Sequence, residues 1–186
     1  MEKHELNKAA YRDFSNQNAK IAIYYNLAAM HLGKAIREPV KEDSDKLMAE
    51  TKKYLNLTEK VKMMAGRAFL TMRGFILFYE GNFELSLSSF NKSVEKNTDD
   101  EEQSVVGVLG LAQLAFAKRN YEIALNHYKK AMRMNKSLPT KARLGMAYCF
   151  YELEKYEMAK ACFKRILDLD PKCVEAKIGY ATLWYN

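Results

Sequence analysis

With 186 residues, 48% hydrophobic and 12% aromatic, the chain has the length and apolar content for a buried core, which excludes a polar disordered segment. Eight Gly and three Pro are too few for a collagen-like, linker-rich or turn-dense all-β chain, and abundant Ala, Leu, Met, Glu and Lys favour helix. The net charge of +7 equals that of Lys118–Arg143 alone, where eight basic residues face the single acid Glu122.

In chain order, the opening Met1-Glu2-Lys3-His4-Glu5 lacks the apolar core of a secretory signal. A short helix is predicted near 4–14. A stronger one runs from Ala19 to Ile36, with Ile23, Leu27, Met30 and Ala35 facing inward, and Pro39 breaks it. Ser44 then serves as N-cap of a helix through Leu47, Leu55 and Val61, so that 1–62 forms divergent N-terminal helices.

From residue 83 one pattern recurs three times: Phe83, Ser86, Phe90, Ser93; Tyr121, Ala124, Tyr128, Ala131; Tyr156, Ala159, Phe163, Ile166. These offsets place each set on one helix face. Twelve residues before each first small residue stands another, Gly74, Ala112 and Ala147, separated by 38 and 35 residues. Each unit thus reads as two helices crossing closely at small side chains. Gly81-Asn82, Asn120, Asn135 with Pro139, and Pro171 mark the turns.

This period, the Leu111-Ala112 and Met146-Ala147 pairs, and the closing Asp168-Leu169-Asp170-Pro171 resemble the tetratricopeptide repeat (TPR), whose period is about 34. The expected fold is all-α, a right-handed superhelix of antiparallel helix pairs. Residues 63–186 hold about three units plus the first helix of a fourth, in one continuous solenoid, and the half-repeat at the end reads as a fragment of a longer protein.

Catalytic chemistry is sparse. His4, His31 and His127 are scattered on separate helices, and no Gly-rich phosphate loop or HExxH motif occurs. The run Asp99-Asp100-Glu101-Glu102 suits a helix N-terminus. Cys149, Cys162 and Cys173 form no CxxC, so free thiols in a reducing compartment are expected, with Cys149 and Cys162 partly buried. The longest apolar stretch, Val105 to Ala117, falls short of the ~20 residues of a membrane helix. No enzyme activity, cofactor, metal or membrane partner is expected.

In TPR proteins the first helix of each pair lines a concave groove for a partner segment. That geometry implies a groove of Thr71, Phe75, Phe78 and Tyr79, then Leu109, Gln113 and Phe116, then Lys141, Leu144, Tyr148 and Tyr151, then Ile178, Thr182 and Tyr185. The face is mostly apolar, with several members expected to pack onto a neighbouring repeat instead. The clamp for heat-shock-protein tails needs a Lys and an Asn four residues on; here Lys141 is followed by Gly145, so that clamp is absent. A second candidate surface is the basic cluster Lys129, Lys130, Arg133 and Lys136, open to nucleic acid or an acidic protein segment.

The segments His127–Asn135, Arg143–Phe150 and Pro171–Ala176 resemble the N-terminal repeats of the large TPR scaffold subunit of the polymerase-associated factor (Paf) complex, as do Tyr11-Arg12-Asp13, Leu27-Ala28-Ala29 and Lys53-Tyr54 upstream. Ser in place of Ala between Phe83 and Ser93, and Lys136-Ser137 where Pro or Gly is common, depart from it. The resemblance implies a nuclear scaffold that holds another subunit of an RNA polymerase II-associated complex, linked to transcription elongation and histone modification. A TPR adaptor of another assembly and a nucleic-acid-binding repeat protein are the alternatives.

Overall fold

The computed structural model describes residues 2–61, 66–95 and 104–185, with side chains from residue 19 onward except 59–61 and 185. Nine α-helices and no strand occur among the described residues: α1 (Glu2–Ala35), α2 (Lys41–Val61), α3 (Arg67–Tyr79), α4 (Phe83–Val94), α5 (Val105–Ala117), α6 (Tyr121–Met134), α7 (Thr140–Glu152), α8 (Tyr156–Leu169) and α9 (Val174–Tyr185). The acidic run at 99–102 lies outside the described residues, as do the side chains of His4, Tyr11, Arg12, Asp13 and Tyr185. The helices form two compact units, Met1–Asn82 and Phe83–Asn186.

In the first unit, α1 is one continuous helix rather than a short helix followed by a longer one. The Ser15-Asn16-Gln17-Asn18 stretch contains neither Pro nor Gly, and so nothing there breaks the ladder. Its inward stripe is Ala28, Leu32 and Ala35, flanked by half-buried Tyr25 and Leu27; Ile23 and Met30 face solvent, against expectation. Ala28 explains the rotation, because a methyl side chain lets α2 approach where a larger residue would hold it off. The helix stops before Pro39, and Ser44 lies inside α2 rather than at its cap. The Ser44 hydroxyl instead donates to the Ala35 carbonyl at 2.8 Å, reinforcing the long 3.4 Å bond that the Glu38 amide makes to the same acceptor at the end of α1. The repeat array expected from residue 63 has its first helix in this unit, where Phe69, Met72 and Ile76 of α3 join Ala28, Leu32 and Leu55 in one cluster.

The second unit is a stack of helix pairs. α5 packs on α6 and α7 on α8, while α4, α6 and α8 each pack on the following helix. The short connections make each pair antiparallel. The pattern read from sequence supplies the core: Ala112, Ala124, Ala147 and Ala159 are fully buried where paired helices cross, and Phe90, Tyr128 and Phe163 are buried one turn on. Those three rings do a second job. Phe90 sits against Gly110, Tyr128 against Gly145 and Phe163 against Gly179, each so close that a β-carbon on the glycine would fall 2.3 to 2.5 Å from the ring. Each ring therefore occupies the notch left by a missing side chain on the next pair's first helix.

The turns repeat as well. Gly81, Arg119 and Glu154 follow α3, α5 and α7 and all have left-handed φ (78°, 60° and 57°). Behind them, the amides of Asn82, Asn120 and Lys155 donate to Leu77, Ala115 and Phe150 at 2.8 to 2.9 Å, and those of Gly81, Arg119 and Glu154 donate to Phe78, Phe116 and Tyr151. This paired closure is the Schellman cap. Between pairs, Asn135 Oδ1 accepts from the Ser137 amide at 2.8 Å and Asp170 Oδ1 from that of Lys172 at 3.1 Å, so both loops turn in the same way.

Two measurements test this packing. Gly110→Ala and Ala159→Leu should each cost about 1–3 kcal/mol by forcing a buried ring or helix to move; unshifted thermal melts would contradict the assigned crossings. Glu154→Gly should do the opposite, adding about 0.5–1 kcal/mol, because the left-handed turn strains every residue but glycine. A melting temperature that stays level or falls would remove the strain argument.

Candidate functional site

The surface expected to hold a partner begins in the second unit on the last turns of α5 and α7. Gln113 is exposed, and Phe116 is half-buried with its ring edge-on to Tyr121, 5.3 Å between centroids. One repeat later, Tyr151 meets Tyr156 in the same way at 5.7 Å, and Tyr148, 36% exposed, lies edge-on to Phe163 at 5.6 Å. Each pair's first helix thus ends on an aromatic braced by the first aromatic of the second helix, a geometry that favours ring edges against ring faces. The Glu152 carboxylate acts on the Tyr121 hydroxyl to hold its pKa above the usual phenol value, helped by burial. Neither Tyr121 nor Glu152 was among the expected site residues. Their signal lay in register, since Tyr121 precedes Tyr156 by 35 residues, as Phe116 precedes Tyr151.

Leu144 does not belong to this surface. It is 6% exposed and part of the core with Cys149 and Cys173. It lines the floor of a hollow shared with Pro139, Lys141, Asp170, Cys173 and Val174. Leu109 is half-buried and bridges two apolar clusters, and Ile178 is 63% exposed. Lys141 and Thr182 are exposed. In the first unit, Phe75 packs half-buried on the α1–α3 cluster, Phe78 lies edge-on to exposed Tyr79 at 5.3 Å, and Tyr79 borders a hollow with Ser44, Met48, Lys52 and Glu80. Thr71 is buried, its hydroxyl donating to the Arg67 carbonyl.

The basic cluster lies on α6 and the turn after it. Lys129 extends over the Phe150 ring, 5.6 Å from its centroid, and Lys130 lies along the same helix surface as exposed Arg133. The Arg143 guanidinium donates to the Lys136 carbonyl at 2.9 Å, drawing a further cation to the turn.

Burial pushes the Cys149 thiol up to about 12, with the Glu152 charge adding to it, and burial likewise raises Cys162. Neither presents the thiolate that nucleophilic or metal-binding cysteines need near neutral pH. All three cysteines are free, with Cys149 and Cys173 buried and Cys162 half-buried. Burial, with Lys130 nearby, lowers the pKa of His127. Among the described residues no group of three His, Cys, Asp or Glu side chains is placed to hold a metal, and no helix is long and apolar enough to cross a membrane.

Residues 140–173, which span α7, α8 and the turn into α9, match the family model described as tetratricopeptide repeat. The fold is that of a TPR protein, an all-helical array of paired helices. The chain is similar to the RNA polymerase-associated protein CTR9 of Caenorhabditis elegans, with 26% identity over 165 residues that cover 86% of this chain and 14% of that one. It is similar also to the Protein CTR9 homolog of Arabidopsis thaliana, with 27% identity over 162 residues and the same coverage. The chain therefore spans about one seventh of the length of these curated relatives. Their similarity bears out the resemblance read from the repeats. A solved structure of the APC/C hetero-tetramer Cut9–Hcn1 shares the fold at a TM-score of 0.66 over 94% of this chain and 34% of that one, with 11% identity.

A pH dependence follows from Cys149 and Tyr128, both held up to about 12. In the folded state they keep protons that the unfolded chain releases from about pH 9 to 10 upward, so stability present below pH 9 is lost as pH rises toward 12. Denaturant melts should show this decline, and Cys149→Ala should flatten it whatever that variant does to stability at pH 7. An unchanged slope would mean that the thiol takes no part.

Proposed function

We propose that the chain is a non-enzymatic scaffold segment of the CTR9 kind, acting in the nucleus, that holds another subunit of an RNA polymerase II-associated transcription elongation complex. Similarity to CTR9 proteins over 86% of the chain carries the assignment to that class of assembly. The holding surface is the aromatic face built by Phe116, Tyr148 and Tyr151, with Gln113, Leu109 and Ile178 beside it, and with Phe75, Phe78 and Tyr79 as its first-unit counterparts. What supports this reading is the repetition of the Phe116–Tyr121 and Tyr151–Tyr156 pairs, which keeps rigid, amphipathic rings at equivalent places in successive repeats. Rings braced in this way lose little freedom on binding and so contribute strongly to an interface.

A heat-shock-tail adaptor is less well supported. Gly145 stands where the clamp's Asn is required, and the Tyr128 ring fills the space beside it.

The test has two stages. Affinity purification of the tagged chain from nuclear extract, with mass spectrometry, identifies the bound subunit, and calorimetry then measures it against variants. Tyr148→Ala combined with Gln113→Ala should cost more than about 2 kcal/mol of binding, measured at a temperature where the melt shows the variant folded, because loss of the Tyr148–Phe163 ring contact also lowers stability. Phe116→Ala should weaken binding too, but also cost about 1–2 kcal/mol of stability, because its ring packs half-buried on the core. Full binding by all of these variants would eliminate the aromatic face.

A further inference from the structure

The outward sides of α4, α6 and α8 carry a second repeated pattern, away from the aromatic face. Each helix presents a large aliphatic side chain near its start and a cation seven residues later: Leu85 and Lys92, Ile123 and Lys130, Met158 and Arg165. Seven residues are two helical turns, so both members stand on one side of the helix, about 10 Å apart along it. The aliphatic members are 50%, 52% and 54% exposed, a near-constant value at equivalent positions. Lys92 and Arg165 are exposed and Lys130 half-exposed. Among the described residues no carboxylate forms an ion pair with Lys92 or Lys130, and Arg165 makes only a 4.0 Å contact with Asp168. Immediately before each aliphatic residue stands an exposed Glu (Glu84, Glu122, Glu157), of which Glu84 is paired with Lys118 at 2.6 Å. Three tiers thus recur on three helices: a carboxylate, an aliphatic side chain, and a cation two turns beyond.

We propose that this outer band docks an acidic amphipathic helix of another protein, its apolar edge on Leu85, Ile123 and Met158 and its carboxylates on Lys92, Lys130 and Arg165. The charge pattern favours this over nucleic acid. A phosphate backbone is negative along its whole length and would meet Glu122 and Glu157 as well as the cations, and aliphatic side chains offer bases no stacking surface. A protein helix with acid on one edge only can set that edge on the cations and keep it two turns away from Glu84, Glu122 and Glu157. Crossing three helices takes at least about 20 Å, or some fourteen helical residues.

The test uses the full chain and fluorescence anisotropy with three probes. The first is a synthetic amphipathic peptide of about eighteen residues with Leu along one edge and Glu along the adjacent edge. The second is a scrambled peptide of the same composition, and the third a single-stranded oligonucleotide of similar charge. The ordered peptide should bind at least about tenfold more tightly than the scrambled one. Ile123→Ser with Met158→Ser should weaken it by about tenfold. Lys92→Gln with Lys130→Gln should weaken it and flatten its salt dependence. Tyr148→Ala should leave it unchanged, which separates the band from the aromatic face. All these positions are at the surface, and melting curves confirm folding of each variant. Equal binding of the two peptides, no binding of the ordered peptide, or loss on Tyr148→Ala would each overturn the proposal. So would tighter oligonucleotide binding that ignores the Ile123 and Met158 changes.

Discussion

A ring seated in a glycine notch organises the second unit. Phe90, Tyr128 and Phe163 each belong to the second helix of one pair yet press on Gly110, Gly145 and Gly179 of the next. The contact sets how closely consecutive pairs approach, because a ring fills the notch only at one height along the helix. Burial of each ring supplies on the order of 2–3 kcal/mol, and the small residues at Ala124 and Ala159 admit the partner helix on the other side. Repeats built in this way are joined by nearest-neighbour contacts, and the register of each is inherited from the one before.

Much of this was legible in the sequence, and the parts that were not share a cause. The aromatic and small positions from Phe83 to Ile166 repeat at steady offsets, so the helix pairs and their buried faces could be read directly. The glycines could have been found as well, because Gly110, Gly145 and Gly179 each stand two residues before Ala112, Ala147 and Ala181. A glycine in a helix reads as a weakness until the ring that fills its notch is known. Arg119 and Glu154 gave no local sign of a left-handed turn, and only their alignment with Gly81 revealed it. In the first unit no repeat was available to correct the reading. Of the expected stripe Ala35 is buried and Leu27 half-buried, whereas Ile23 and Met30 are exposed, because the helix packs by Ala28, the residue that permits close approach.

The aromatic face shows the same limit. Phe116 and Tyr151 stand one repeat apart, each against the first ring of the following helix, whereas Leu144 is buried beside Cys149 and Cys173, a contact with distant chain that its own segment does not encode. The two faces of the second unit also differ in kind. The rings ending α5 and α7 are braced by other rings, whereas Ile123 and Met158 on α6 and α8 are exposed beside charged residues.

The ring-and-glycine joint also decides how far a local disturbance travels. Each joint ties the second helix of one pair to the first helix of the next, and Phe163 with Gly179 does so between α8 and α9, where Trp184 lies 4.4 Å from the Lys160 ammonium. α5 through α8 are each held twice, by a crossing within the pair and by a joint to a neighbouring pair. Amide hydrogens deep in a pair therefore exchange only when a crossing and a joint open together, and the pattern of protection along the chain counts the joints still closed.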